Sequence, residues 1–343
     1  MSHNITASDN MAYVGETPWH GLGFALPEGA SLDDMTAAAG LTWSVDKKGI
    51  RIKDGKSIPD HFALVRSDTG ESLDIVGRQY IPTQPAEAME FFRQFTDAGE
   101  MEMDTAGSLC GGRWVWGLAR NHLSADLGGG DVIKNYVLLV SPNIHGKSLV
   151  VKQCSIRVVC NNTLTAALNE KGKHVRVRHT KHFDDEARAE AAEAVGVAQA
   201  KFKRFEDAAK RMIETQMEQE QAVEYFQHVL GTTNKTLLDI ALESQPTNLL
   251  EAAIEQTGKV ARKSPVLGKM ITALESGAGA NMDTAKGTLW GAFNAVTYAS
   301  DHTLGANQDN RLRDAWLGYR EGLKNNALET AIAITEGNLR LGR

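Results

Sequence analysis

KGKHVRVRHTKHFDDEARAEAAEAV, Lys171 to Val195, contains the change of period that decides how this chain folds. Its first half alternates. His174, Arg176 and Arg178 fall on one side of an extended backbone, Val175 and Val177 on the other. From Asp184 the alternation stops. Asp184, Asp185 and Glu186 open an Ala- and Glu-rich run, the composition of a helix N-terminus and its first turns. The change predicts an organisational boundary near residue 183, with an α+β domain over 1–183 and a helical domain over 184–343.

Upstream of that boundary the chain reads as strands. HFALVRSDTGESLDIVG holds two alternating runs around Asp68-Thr69-Gly70, and SLCGGRWVWGLAR holds two more around Gly111-Gly112, both hairpin signals. VIKNYVLLV and KSLVVKQCSIRVVC are apolar runs of strand type. Ser31 is placed to cap a short helix ended by Gly40. PAEAMEFFRQFTDAG reads as a helix with Pro85 in its first turn and Met89, Phe92 and Phe95 on one face. Asn162 is placed to cap another short helix, TLTAALNEKG. The predicted fold is α+β: a strand-rich N-terminal half with a curved antiparallel sheet, then a helical C-terminal half with one long helix.

That long helix is expected to run roughly 30 residues from Asp184, with Val195, Ala198, Phe202, Phe205, Ala209 and Met212 as a heptad-like seam. Further helices are expected around 219–230, 233–243, 247–261, 284–302 and 311–336. In the last two, Leu289, Trp290, Phe293, Val296, Trp316 and Tyr319 suggest a helical hairpin core, with Gly287 and Gly291 permitting close contact.

Composition narrows the function classes. The chain has 343 residues, 42% hydrophobic and 23% charged, enough for a sizeable core. Cys110, Cys154 and Cys160 are odd in number and form no C-x-x-C pair, so reduced core thiols are expected, with no disulfide framework. The first residues lack the pattern of a signal peptide, and no run of about 18 apolar residues exists, so no membrane association is expected.

The charge is unevenly placed. Between His145 and His182 lie eight Lys or Arg against the single acid Glu170, a net +7, which leaves about −13 for the remainder of a chain that is −6 overall. Lys147, Lys152, Arg157, Lys171, Lys173, Arg176, Arg178 and Lys181 are the candidate phosphate contacts, because such a row releases counterions from a nucleic acid. The bland alternative is a solvated edge strand protected by its charge. Trp114 and Trp116, two apart on one strand face, read either as a stacking platform for unpaired bases or as core, with Leu118 continuing the same face. The spacing of His174, His179 and His182 matches no metal-ligand pattern. His20 in PWHGLG has no visible carboxylate or nucleophile beside it, and no Gly-rich run has the context of a phosphate-binding loop. No cofactor is expected.

Several phrases together, PWHGLG, GRQYIPTQPAEAMEFF, AGSLCGGRWVWGLAR, IRVVCNNTLTAAL, RHTKH before a helix, and GTLWGAFNAVTYASDH, resemble the phage/plasmid-like protein family, a domain of unknown function carried by bacteriophages and mobile elements. The likeness spans nearly the whole chain; Pro85 departs from it, standing where a polar residue is expected. The resemblance implies a protein of a bacterial host's cytoplasm but supplies no reaction. In outline the order of elements is also similar to ring-forming single-strand annealing proteins, a likeness of fold alone. The leading expectation is therefore a homo-oligomeric protein that binds single-stranded DNA, or anneals it, in replication or recombination, and the sequence leaves open whether it is an enzyme. The alternatives are a phage interaction or structural factor and a metal-dependent hydrolase or nuclease, for which Asp184, Asp185 and Glu186 are the nearest carboxylates.

Overall fold

The structure is a computed structural model and describes residues 10–15, 23–159, 162–164, 175–196, 198–231, 265–304 and 319–342, with backbone alone at 162–164, 194–196 and 198–201. The fold is α+β, strands first and helices after. The chain divides into two compact units: Met1–Leu123, Lys134–Cys154 and Glu170–Gln199 form one, and Ser124–Ile133, Ser155–Asn169 and Ala200–Arg343 the other. This division differs from a single cut near residue 183. Phe183 and Ala191 are buried in the core of the first unit, so the first helix past the boundary stays with the strands.

The strands are β1 (Met11–Val14), β2 (Phe24–Leu26), β3 (Val45–Arg51), β4 (Ser57–Arg66), β5 (Ser72–Gly77), β6 (Met101–Leu109), β7 (Trp114–Asp126), β8 (Val132–Pro142), β9 (Ser148–Arg157), β10 (Asn162–Leu164) and β11 (Val175–Arg178). One sheet runs β10-β9-β8-β7-β6-β1-β2, with β11 also on β9; a second runs β3-β4-β5. The large sheet is mixed, because β1 and β2 pair in parallel. Asn162, expected to cap a helix, instead pairs with Arg157 as the first residue of β10, and residues 165–172 of that expected helix lie outside the described residues. β10 and β11 are both antiparallel to β9, at Ser155–Arg157 and Ser148–Val151 respectively.

In the first unit, helix α1 (Leu32–Ala38) begins where Ser31 predicts. Ser31 Oγ accepts the Asp34 N–H at 3.1 Å, and Asp34 returns a bond to the Ser31 N–H at 3.2 Å, a closed capping box. The Pro85 helix forms in three short pieces: α2 (Pro85–Met89), a 3₁₀ turn (Glu90–Phe92) and α3 (Arg93–Asp97). Its Met89, Phe92 and Phe95 are buried as their spacing predicts. They pack with Trp43, Leu64, Val76, Val115, Val137, Leu149 and Val151 around one core. Burying each large side chain of this kind contributes roughly 1.5–3 kcal/mol. Helix α4 (Asp185–Gly196) completes this unit.

The second unit holds α5 (Ala198–Glu214), α6 (Gln219–Val229), α7 (Pro265–Ser276), α8 (Leu289–Tyr298) with a π turn at Ala299–Thr303, and α9 (Tyr319–Thr335). The expected 30-residue helix is described as α4 and α5, of 12 and 17 residues, and no described helix is longer than 17. Gly196, at the end of α4, has weak helix propensity. The seam residues Phe202, Phe205, Ala209 and Met212 are buried, and the Phe205 ring meets Trp290 at 6.3 Å. The segments 233–243 and 247–261 and Trp316 lie outside the described residues, and α7 was not foreseen. Tyr319 is 71% exposed, so it belongs to no hairpin core. Gly287 and Gly291 serve different ends. Gly287 takes φ +67°, whereas a Cβ on Gly291 would collide with the Ala285 carbonyl.

Candidate nucleic-acid interface

β11 is built as its alternation predicts. Val175 and Val177 are half-buried against the core of the first unit, while Arg176 and Arg178 are exposed. The register sets Arg176 opposite Val150 and Arg178 opposite Ser148. Ser148 follows a turn closed by the Lys147 N–H on the Ile144 carbonyl at 3.3 Å, and Arg178 precedes one closed by the Lys181 N–H on the Arg178 carbonyl at 3.1 Å. The pairing of Ser148 with Arg178 therefore brings two turns together, and Lys147, Arg176, Arg178 and Lys181 are all exposed there. Among the described residues, none of these four enters an ion pair. Lys171, Lys173 and His174 lie outside the described residues, as do Trp19, His20 and Cys160.

Four other candidates are corrected by burial. Trp114 and Trp116 are 5% and 4% exposed, core side chains that offer no face to a base. Their strand alternates as read, but both of its faces are packed. Lys152 is buried on β9. Arg157 is 1% exposed and spent inside the second unit. Its Nε and Nη2 donate to the two oxygens of Asp131 at 2.6 and 2.7 Å, a bidentate pair. Thr284 Oγ1 and Trp290 Nε1 donate to the same carboxylate at 2.6 and 3.0 Å, and the guanidinium lies over the Trp290 ring. Burial pushes the Asp131 carboxyl up, but Arg157, Thr284 and Trp290 more than reverse this and hold it below the usual range. The carboxylate accepts four hydrogen bonds from the chain itself, so the network reads as a structural pin. No local pattern announces it: Thr284 and Trp290 are 153 and 159 residues from Asp131.

Sequence reasoning also missed Asp104. It sits where the β6–β7 register shifts, between Met103 and Thr105. Burial drives its carboxyl up to about 6, opposed by Arg120 and Lys134. Asp184 caps the N-terminus of α4, accepting the Ala187 N–H at 3.1 Å, and Asp185 pairs with Arg188. These acids serve the helix, as their position predicts. Among the described residues no group of three His, Cys, Asp or Glu is arranged to hold a metal ion, and no described helix is long and apolar enough to cross a membrane.

The arrangement defines an α+β protein with a displayed cationic strand edge that forms no ion pair among the described residues, and with Trp43, Trp114, Trp116, Trp290 and Arg157 inside. A family model for a domain of unknown function, DUF932, matches residues 72–316, more than two-thirds of the chain, and the chain belongs to that family. No curated protein and no solved structure matches it significantly.

Proposed function

We propose that this protein binds nucleic acid through the phosphate backbone at β11 and its adjoining turns. The observation that carries the reading is the set Lys147, Arg176, Arg178 and Lys181, exposed together with no carboxylate paired to them among the described residues. A row left unneutralised on a chain of net −6 is available to an external polyanion. The finer reading is single-strand DNA binding or annealing in replication or recombination by a homo-oligomer, in the bacterial cytoplasm and encoded on a phage or other mobile element. The motif phrases that resemble the phage/plasmid-like family support the setting. With Trp114 and Trp116 buried, phosphate contact supports the binding and stacking on that pair does not.

The test is titration of a fluorescent single-stranded oligonucleotide, beside the same sequence as duplex, over a salt series. Four phosphate contacts give a slope of log K against log salt of roughly −3 for a single strand. Arg176→Glu with Arg178→Glu is expected to abolish binding in a folded protein. Equal affinity in that variant, or no binding at low salt, overturns the proposal. Equal affinity for duplex retains backbone binding and removes the single-strand preference. The competing reading, a non-enzymatic interaction factor, predicts salt-independent self-association with no oligonucleotide affinity.

A further inference from the structure

His179 directly follows the basic strand and is built unlike it. Arg178 and Thr180 on either side are exposed, whereas the imidazole is 4% exposed. The ring stacks on Tyr80, centroids 4.7 Å apart and planes 18° from parallel. Nδ1 lies 3.3 Å from the Ile81 carbonyl, and the His179 carbonyl accepts the Ile81 N–H at 2.5 Å. Tyr80 donates its hydroxyl to the Pro142 carbonyl at 3.1 Å, which fixes the ring that His179 stacks upon. Nε2 is buried and makes no hydrogen bond among the described residues. The pocket thus suits a neutral imidazole protonated on Nδ1, and a second proton on the ring would put a buried charge beside carbonyl oxygens alone.

Among the described residues, the groups around the ring give that charge no counter-ion. They are the Tyr80 phenol, kept protonated by burial and by Asp74, and the Ile81 and Pro142 carbonyls. Lys47 adds positive charge behind the same segment, its Nζ donating to the Arg78 and Tyr80 carbonyls at 2.5 and 2.9 Å. Burial holds the imidazole below its ordinary range, and the two carbonyls only partly offset this. Among the described residues β11 is held by its ladder to β9, by Val175 and Val177 on the core and by contact with α4, and the His179 clasp holds its C-terminal end.

We infer that His179 is an acid-released latch: protonating its buried imidazole undocks residues 175–179 from β9 and from Ile81, and so disperses the Arg176 and Arg178 row. The consequence for binding rests on the proposed nucleic-acid reading; the undocking itself does not. Affinity for a polyanion then falls on acidification. That is the reverse of an ordinary histidine-bearing cationic surface, where imidazoles gain charge and binding tightens.

The experiment is hydrogen exchange of the full chain at pH 7.5 and 5.5, corrected for intrinsic rates, with oligonucleotide titrations on the same samples. One pH unit below an ordinary imidazole pKa, protection of residues 175–179 and of Leu149–Val151 is expected to fall roughly tenfold. β4, paired on both sides within the other sheet, serves as the reference and is expected to hold. His179→Phe keeps the stack without the proton and is expected to show no such fall. Unchanged wild-type protection at pH 5.5 overturns the latch, whether or not the variant folds. Strand opening without oligonucleotide binding at either pH supports the latch and removes the nucleic-acid reading. Binding at pH 7.5 with an acid-insensitive strand removes the latch alone.

Discussion

Arg157 and Arg176 both project from strands of the same sheet, yet one is 1% exposed and the other faces solvent. What separates them is a partner distant in the sequence. Arg157 meets Asp131 in a fully buried bidentate pair that Thr284 and Trp290 complete. Removing one member leaves the other charge buried and alone, which costs about 3–5 kcal/mol. Arg157→Met is expected to lose that much stability in urea unfolding. Adding Asp131→Asn to it is expected to recover a large part, because the stranded charge is gone. Oligonucleotide affinity of the folded double variant is expected to equal that of the wild type, since Arg157 is not on the surface. A chain-local reading assigns both arginines to phosphates, because residue type and strand position are the same for both.

At the scale of elements, the β6–β7 hairpin was legible from its two glycines, but the reason for the second glycine was not. Cys110, Gly111 and Gly112 all take positive φ, of 56°, 71° and 91°. A Cβ on Gly112 would lie 2.9 Å from the Trp43 ring, itself stacked under the Arg66 guanidinium at 4.3 Å. Gly112→Ala therefore meets both backbone strain and a rigid ring, and is expected to cost about 1–3 kcal/mol in thermal or urea unfolding. The expected cap at Asn162 is a separate case. Asn162 is a good helix cap by residue type, but pairing of residues 162–164 with β9 takes precedence. That pairing is itself local, Arg157 opposite Asn162, and its backbone ladder outweighs a cap preference of only about 1 kcal/mol.

Across the whole molecule, two buried titratable groups set opposed pH dependences. Asp104 has its folded pKa raised to about 6 from 3.8, so its ionisation penalises the fold at neutral pH and the penalty is relieved as pH falls from 6 towards 4. His179 has its folded pKa lowered, so its contribution is full above about 6.5 and is lost as pH falls below that. The paired carboxylates Asp68, Glu90 and Asp131, all lowered, lose stability at still lower pH. Asp104→Asn removes one opposing slope. The variant is expected to be more stable at pH 7.5 by roughly 1–2 kcal/mol, allowing for partial solvent screening, and to lose stability more steeply between pH 6 and 4.5. Urea midpoints at three pH values check this.

The sequence by itself determined the α+β class, the change from alternation to helical period after Phe183, the capping of α1 by Ser31, and the two faces of β11. Each rests on contacts between residues a few positions apart, where period and propensity carry the information. It also determined that positive charge gathers between His145 and His182. Only the tertiary structure decided which of those charges are displayed. Lys147 and Arg178 come together through the pairing of Ser148 with Arg178, while Lys152 and Arg157 go inside. It alone decided that Trp114 and Trp116 are core and that His179 rests on Tyr80. Burial and partner choice depend on segments that meet from far along the chain, and no local pattern in the sequence records those meetings.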